Sequence, residues 1–470
     1  VPLRSKTEVC VLGGGPAGTT AARRLAELGH EVCLIERNQV PQPRPGESLS
    51  AGVLPLFAAL GLQPLAEGAG FFRPRRSLVR WADATPRVRE EPEEPGFLVD
   101  RGRFDEVLLT AARRAGVRVL RPALARDPEP LPSGGWRVPV DLGGERIEID
   151  AALLVDATGR RSRLPGRRRR SWVPTLALCG YWQGAPGGDP VPRIEAGEDE
   201  WFWGAPLPDG TFSAMVFLDP KRCAGENREG IASLYRSLLA RSDLLRDVLR
   251  GQSVGRVAAH DASLSAAETP AGEDWVKVGE AAFSLDPLSS QGVQAAMVSA
   301  LRGAVVAHTL LTAPANTEAA LAFHRARLHE TVERNRALAA RHYAERHAWS
   351  PGEFWRRRSF TAEAPPPLPP PPGQPPPRGD QPVRLSAAAQ LVPIPAIRGD
   401  LVVPASALVH PALPRPVAFL DGTELAPLLD QITGAATSRQ ILQGWSTNLP
   451  PEKGMRIFRW LWDRSIVVPL

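Results

Sequence analysis

The stretch Val11-Leu12-Gly13-Gly14-Gly15-Pro16-Ala17-Gly18 decides the fold. An apolar strand pattern, Glu8-Val9-Cys10-Val11-Leu12, leads into it. A helical pattern from Thr19 to Leu28 and a second strand pattern from Glu31 to Ile35 follow, closed by the acidic Glu36 and by Arg37. GxGxxG alone is a weak signal, but between a strand and a helix, with an acid closing the next strand, it is the fingerprint of a dinucleotide site. Gly13 permits the tight turn, Gly15 lets the backbone approach a pyrophosphate, and Gly18 lets helix and strand pack closely. Pro16 and Ala17 open a helix whose unpaired N–H groups and partial positive charge suit phosphates. Glu36 is placed to accept hydrogen bonds from a ribose.

Working outward, residues 104–120 read as a helix followed by a strand, and 134–155 as antiparallel strands ending in a buried one. Residues 171–220 are strand-rich, with Trp201 to Pro206 and Phe212 to Leu218 flanking the turn Pro208-Asp209-Gly210. Residues 228–250 are helical, 275–279 a buried strand, 290–312 a helix, and 314–347 a long charged helix. Proline then dominates from Ala364 to Pro382, a semi-rigid spacer. Beyond it, Leu425 to Ile432, Ser438 to Trp445 and Pro451 to Asp463 read as short helices closed by the strand-like Ile466 to Leu470, the outline of a small winged-helix-like module. These patterns divide the chain into a discontinuous nucleotide-binding domain (1–75, 100–170 and 256–312), an antiparallel-sheet substrate domain (76–99 and 171–255), a helical segment (313–360), a linker (361–382) and a C-terminal module (383–470). The fold class is α/β plus antiparallel β, with a Rossmann-like nucleotide domain.

Three further segments carry a resemblance. Arg101-Gly102-Arg103-Phe104-Asp105, Asp156-Ala157-Thr158-Gly159-Arg160-Arg161-Ser162, and Gly279-Glu280-Ala281-Ala282 with Asp286-Pro287-Leu288-Ser289-Ser290-Gln291-Gly292 stand in order along the chain. They resemble the RxxFD, DATGRxS and GDAA…DPxxxxG segments of the flavoprotein monooxygenase superfamily typified by para-hydroxybenzoate hydroxylase. Pro45-Gly46-Glu47-Ser48-Leu49 and Trp201-Phe202-Trp203-Gly204-Ala205-Pro206 resemble the GES loop and the WxWxxP motif of its flavin-dependent halogenase branch. The likeness covers residues 8–350 and implies FAD as cofactor and O2 as oxidant. It implies flavin contacts from Glu47, Ser48, Arg101, Gly279, Glu280, Pro287, Ser290, Gln291, Gly292 and Val293. Glu280 stands where the family has Asp, one methylene further out.

Read without the family, Trp201 and Trp203 alternate on a strand and place both rings on one face, a wall for an aromatic substrate or a packed core. The resemblance also implies a reactive lysine in halogenases, and the corresponding stretch here is Gly70-Phe71-Phe72-Arg73-Pro74-Arg75-Arg76. Lysine occurs only at Lys6, Lys221, Lys277 and Lys453. An arginine stays protonated and cannot act as an amine nucleophile. The expectation is therefore a monooxygenase that hydroxylates an aromatic ring, indole first, through a flavin hydroperoxide. The subgroup most similar comprises halogenase-like flavoproteins that hydroxylate protein tryptophan during tryptophylquinone maturation. A halogenase and an FAD-dependent reductase of unsaturated substrates are the alternatives. No catalytic acid or base stands out. Arg73, Arg75 and Arg80 are candidates for anchoring an acidic substrate group.

No second glycine-rich fingerprint occurs, so electrons come from NAD(P)H visiting the same groove or from a separate reductase partner. The expected partners are an aromatic substrate, free or within a peptide or protein, with no nucleic acid, no membrane and no metal. The net charge of +6 rests on arginine in a chain with 49 prolines, a compositional bias more than a nucleic-acid footprint. No apolar run reaches the roughly eighteen residues of a membrane helix. The four cysteines, Cys10, Cys33, Cys179 and Cys223, form no CxxC, which suits a reducing, cytoplasmic setting.

Overall fold

The computed structural model describes residues 3–40, 43–169, 173–185, 190–359, 379–432 and 436–470. The chain forms two compact units, Val1–Thr312 with His324–Ala362, and Ala313–Phe323 with Glu363–Leu470. The proline-rich spacer falls mostly outside the described residues.

In the first unit the strand Leu3–Leu12 sits centrally in a nine-stranded sheet. It pairs in parallel with Val32–Ile35 on one side and with Glu145–Asp156 on the other. Arg118–Leu120 and Trp275–Lys277 extend the parallel ladder outward. Trp136–Leu142 folds back antiparallel on Glu145–Asp156. Central strands buried on both faces are continuous apolar runs, and Val9 to Leu12 are fully buried. The helix Pro16–Glu27 presents Ala21, Ala22 and Leu25 to the sheet with no exposure. The helix Gly292–Thr312 lies close because Gly303 has no side chain: a Cβ there would stand 2.4 Å from Val278.

That helix is mostly apolar. It is long and apolar enough to cross a membrane by length and composition. Its apolar residues serve a different purpose, since Met297, Ala300, Ala304, Val306 and Ala307 are fully buried within the unit.

A seven-stranded sheet runs in the order Gln252–Asp261, Leu176–Gln183, Thr211–Leu218, Glu200–Pro206, Arg193–Ala196, Arg76–Arg80, Arg87–Glu90. Period-two alternation gives it two different faces. Leu178, Trp182, Phe202, Phe212 and Val216 pack with Tyr235, Leu238 and Leu239 of the helix Arg228–Arg241. The opposite face carries Cys179, Trp201, Trp203, Met215 and Phe217, which cluster with Tyr343, Phe354 and Trp355. Tyr343 comes from the helix Thr317–Trp349.

The second unit has its own core around Leu425, Trp445, Phe458, Leu461 and Trp462. The three expected helices are Ala426–Leu429, Ser438–Trp445 and Pro451–Asp463. Thr437 and Gln440 form a capping box that starts the second. Val467–Pro469 pairs with Val383–Leu385. A hairpin of Gln390–Arg398 with Leu401–Val409 precedes the helices and was not foreseen.

Candidate active site

The glycine motif, Glu36, the Asp156 loop and Gly279 all sit at the carboxyl ends of the parallel strands, where α/β sheets bind ligands. Gly13 adopts φ +100° and a Cβ there would lie 2.6 Å from the Ala157 carbonyl oxygen. A Cβ on Gly18 would lie 1.8 Å from the Gly13 carbonyl oxygen. Both glycines are required by the protein's own packing. Gly15 differs: a Cβ there would meet nothing nearer than Arg44 Nη1 at 4.0 Å. Gly15 caps Pro16–Glu27 without a side-chain hydrogen bond, and the first turn holds no acid. The open space before this helix end suits an anion.

Glu36 turns its carboxylate back on the turn. Its Oε2 accepts from Gly14 N–H (2.7 Å) and its Oε1 from Asn38 N–H (2.8 Å). Gly14, Glu36, Asn38, Arg44, Asp105 and Arg121 line a shallow cleft open to solvent. Arg37 is exposed beside it. Arg44, which sequence reasoning missed, is held by Asp105 at 3.2 Å. Arg101 is buried and also pairs with Asp105 (3.1 Å), while its Nη1 donates to the Pro45 carbonyl (2.8 Å). One acid thus orients two guanidiniums, and one of these fixes the loop before Glu47.

Glu47 makes the link to the second sheet. It is 2% exposed. Its Oε2 accepts from Gly46 N–H (2.8 Å), and its Oε1 accepts from the Tyr181 hydroxyl (2.9 Å) and the Ser213 hydroxyl (3.0 Å). Tyr181 and Ser213 stand on the sheet face that carries Trp201 and Trp203. Burial pushes the Glu47 carboxyl above the usual carboxylate range, and the same carboxylate, after burial, holds the Tyr181 phenol up. Ser48 pairs across to Leu98, closing the loop. Neither Tyr181 nor Ser213 carries a local sequence signal, being 134 and 166 residues from Glu47.

At the other end, Gly279 adopts φ +57° against Ala17. Its N–H donates to Ser299 (2.8 Å). Glu280 points outward, 53% exposed by its side chain, and meets Arg160 at 3.4 Å. Pro287–Ser289 forms a single 3-10 turn, Ser290 turns left-handed (φ 50°), and Gln291 and Gly292 open the next helix on an exposed corner. A Cβ on Gly292 would meet nothing within 4 Å, a second glycine whose bareness the protein itself does not require. Val293 is buried behind it. Asp286, which precedes the turn, accepts from the Tyr343 hydroxyl at 3.1 and 3.0 Å, and burial raises its carboxyl.

Trp201 is 2% exposed and stacks on Phe217 at 3.7 Å between ring centres; Trp203 is 7% exposed on the same face. Arg73 is exposed, donates to the Pro95 carbonyl (2.9 Å) and lies over the Phe97 ring. Arg80 is already neutralised by Glu195 and Asp243, at 2.5 and 2.6 Å.

The profile of the tryptophan halogenase family matches residues 76–369, and that of the pyridine nucleotide-disulphide oxidoreductases matches residues 7–54. The chain belongs to the tryptophan halogenase family. It is 30% identical over 372 residues to the flavin-dependent halogenase armH3 of Armillaria mellea, covering 71% of this chain and 73% of that protein. It is 31% identical over 347 residues to a tryptophan 2-halogenase of Chondromyces crocatus, covering 68% of this chain and 65%, just under two thirds, of that protein. Among solved structures it resembles QhpG, a peptidyl tryptophan dihydroxylase essential for tryptophylquinone cofactor biogenesis. The TM-score is 0.76 at 28% identity, over 98% of this chain and 99% of that one. The flavin-dependent halogenase CmlS shares the fold with a TM-score of 0.76 at 21% identity, over 99% and 96%.

As a tryptophan halogenase family member this is an FAD-dependent oxidoreductase, and its residues fit that cofactor. Gly15 and the uncapped helix behind it, with Arg44 alongside, suit the pyrophosphate. The cleft at Glu36 suits the adenosine. The open corner at Ser290 to Gly292, near the loop fixed by Arg101, suits the redox ring.

Proposed function

We propose that this family member is an FAD-dependent monooxygenase that hydroxylates an indole ring, namely a tryptophan within a polypeptide. The observation that carries the reading is the Glu47 strut. It ties the loop beside the flavin segments to the face bearing Trp201 and Trp203, and that face holds no lysine. Of the four lysines only Lys277 is fully buried, and its Nζ donates to the Pro165 carbonyl (2.7 Å) beside the Trp275 ring. Trp201 braces the face from within its core, and Trp203 meets the substrate ring. The bound flavin supplies oxygen activation. The chain's own residues align the ring, exclude water and hold the Glu47 network fixed.

The likeness to a peptidyl tryptophan dihydroxylase extends over the second unit as well as the first, which supports a polypeptide substrate. We take 1–75, 100–170 and 256–312 as the flavin domain, 76–99 and 171–255 as the substrate sheet, 313–360 as a helical segment, 361–382 as a linker, and 383–470 as a winged-helix-like recognition module. A tethered module raises the local concentration of its peptide. Electrons come from NAD(P)H or a separate flavin reductase. The unpaired cysteines suit the cytoplasm.

Halogenation is the second reading, favoured by the relatives named above. The deciding experiment supplies the FAD-loaded protein with a reductase, isotopically labelled O2, bromide and a tryptophan-containing peptide, and weighs the product. Labelled oxygen on the indole is expected, and bromine on the indole would refute the reading.

A further inference from the structure

The seven-stranded sheet has two edges, and they are built differently. One is Arg87–Glu90, a short strand exposed throughout that carries Arg87, Arg89 and Glu90. Short charged edges resist pairing with another chain. The other is Gln252–Asp261, ten residues long, whose only strand partner among the described residues is Leu176–Gln183. Eight of its ten residues are exposed. From Ser253 to His260 the one permanent charge is Arg256, and Val254 stands 42% exposed. Proteins ordinarily suppress a long, nearly neutral open edge, because its free N–H and C=O groups template another strand.

The register says where such a strand would lead. Val254 stands opposite Tyr181 and Ala258 opposite Cys179. Residues directly opposite share a face. His260 stands opposite Ala177 on the same side, so the edge extends the face that carries Tyr181, Trp201 and Trp203 as an open shelf of Val254 and Ala258 that ends at the His260 ring. At the end of the shelf Asp261 meets Arg160 at 3.4 Å, and Arg160 also meets Glu280 at 3.4 Å. The shelf ends at the flavin segments.

We infer that the polypeptide substrate docks by adding a strand along residues 252–260, so that main-chain hydrogen bonds hold it while its tryptophan crosses the shelf toward the flavin. This rests on the reading that the substrate is a polypeptide. An extended peptide is the occupant because only extended backbone matches a row of edge donors and acceptors, and small shelf residues leave room for its alternate side chains. With Arg256 the one permanent charge between Ser253 and His260, the edge tolerates varied sequences around the target.

The test is amide hydrogen exchange on the FAD-loaded protein. The probe is a short blocked peptide of alternating threonine and valine around one tryptophan, compared with a twin N-methylated on alternate residues. Exchange across 252–261 is expected to slow about tenfold with the peptide and not with its twin. The double variant Val254→Lys and Ala258→Lys, at exposed positions, should lose that protection and bind the peptide about tenfold more weakly, with an unchanged flavin spectrum. Protection elsewhere, no protection, or equal protection by the twin overturns the inference. So does protection that grows with protein concentration without peptide, since a second copy would then own the edge. Turnover is scored separately: a peptide that protects the edge yet is never oxidised leaves the docking intact and refutes the proposed reaction.

Discussion

Replacing Glu47 tests whether the flavin loop and the tryptophan face work as one piece. In Glu47→Ala the Gly46 N–H, the Tyr181 hydroxyl and the Ser213 hydroxyl lose their shared acceptor at 2.8, 2.9 and 3.0 Å. A buried donor left unpaired costs about 1–3 kcal/mol. The hydroxyls can turn and a water can enter the gap, so the low end applies, giving about 3 kcal/mol for the three. At roughly 2–4 °C per kcal/mol for a unit of this size, the melting temperature should fall by about 6 °C or more. Glu47→Gln keeps the volume. Its carbonyl can face Gly46 N–H while its amide donates to the two hydroxyls, so its cost should stay under about 1 kcal/mol. The pH dependence gives an independent check. Burial raises the Glu47 carboxyl, so its stabilising contribution is present below the ordinary carboxylate pKa and is lost as pH rises through the raised value. Glu47→Gln should therefore gain on the wild type as pH rises from the ordinary carboxylate range through the raised value. The assays are thermal unfolding and release of flavin fluorescence. An alanine variant as stable and as flavin-retentive as wild type would refute the strut, as would a glutamine variant whose relative stability ignores pH.

Two further predictions separate packing from ligand binding and locate a buried titration. Gly15→Ala should fold with an unchanged melting temperature in the flavin-free state and bind FAD about 10–100-fold more weakly, because the new methyl enters open space that the pyrophosphate needs. Gly18→Ala should fail to fold, because its methyl would sit 1.8 Å from a backbone oxygen. Equal behaviour of the two, read by circular dichroism and flavin titration, would sink the assignment. His324 is buried, donates from Nε2 to the Lys277 carbonyl (2.9 Å), and is pushed down to about 4 by burial. The unfolded chain then binds more protons between about pH 4 and 6.5, so stability rises with pH across that window, by about 3 kcal/mol in total. His324→Gln should flatten that slope in denaturant titrations; an unchanged slope would assign it to other groups.

The parts of the fold that the sequence spelled out are those with local rules. A glycine that must adopt φ +100°, or that must lack a Cβ 1.8 Å from a carbonyl, is visible as a glycine at a fixed spacing. The amphipathic helices of the second unit could likewise be read from their period and from the Thr437 to Gln440 capping box. The hairpin Gln390–Arg398 with Leu401–Val409 was hidden because Pro393, Pro395 and Pro404 lie inside it. Proline donates no ladder hydrogen bond and so argues against a strand, yet a two-stranded ribbon has outer edges where it is tolerated. What no local rule could supply were the partners of Glu47 and Asp286. Tyr343 meets Asp286 across 57 residues of chain. Nor does residue type foretell that the Glu280 carboxylate is turned to Arg160, on the surface.

The choice between oxygen insertion and halogenation then turns on where amines are, more than on the family. Lysine chemistry near the substrate needs a deprotonatable amine free to react. Lys277 has been depressed by burial, with Asp156 opposing the shift, which is the right direction for a nucleophile. Its position forbids the role: it lies on a strand of the nucleotide sheet, 2% exposed, with its nitrogen spent on the Pro165 carbonyl. The Gly70 to Arg76 stretch carries arginines and no lysine, and a guanidinium is not an amine nucleophile. Arg73 is committed to the Pro95 carbonyl and the Phe97 ring. Hydroxylation asks less of the protein, since oxygen transfer to an electron-rich indole needs alignment and dryness more than a side-chain nucleophile. In the proposed reaction the buried Glu47 network and the tryptophan face would supply those two things.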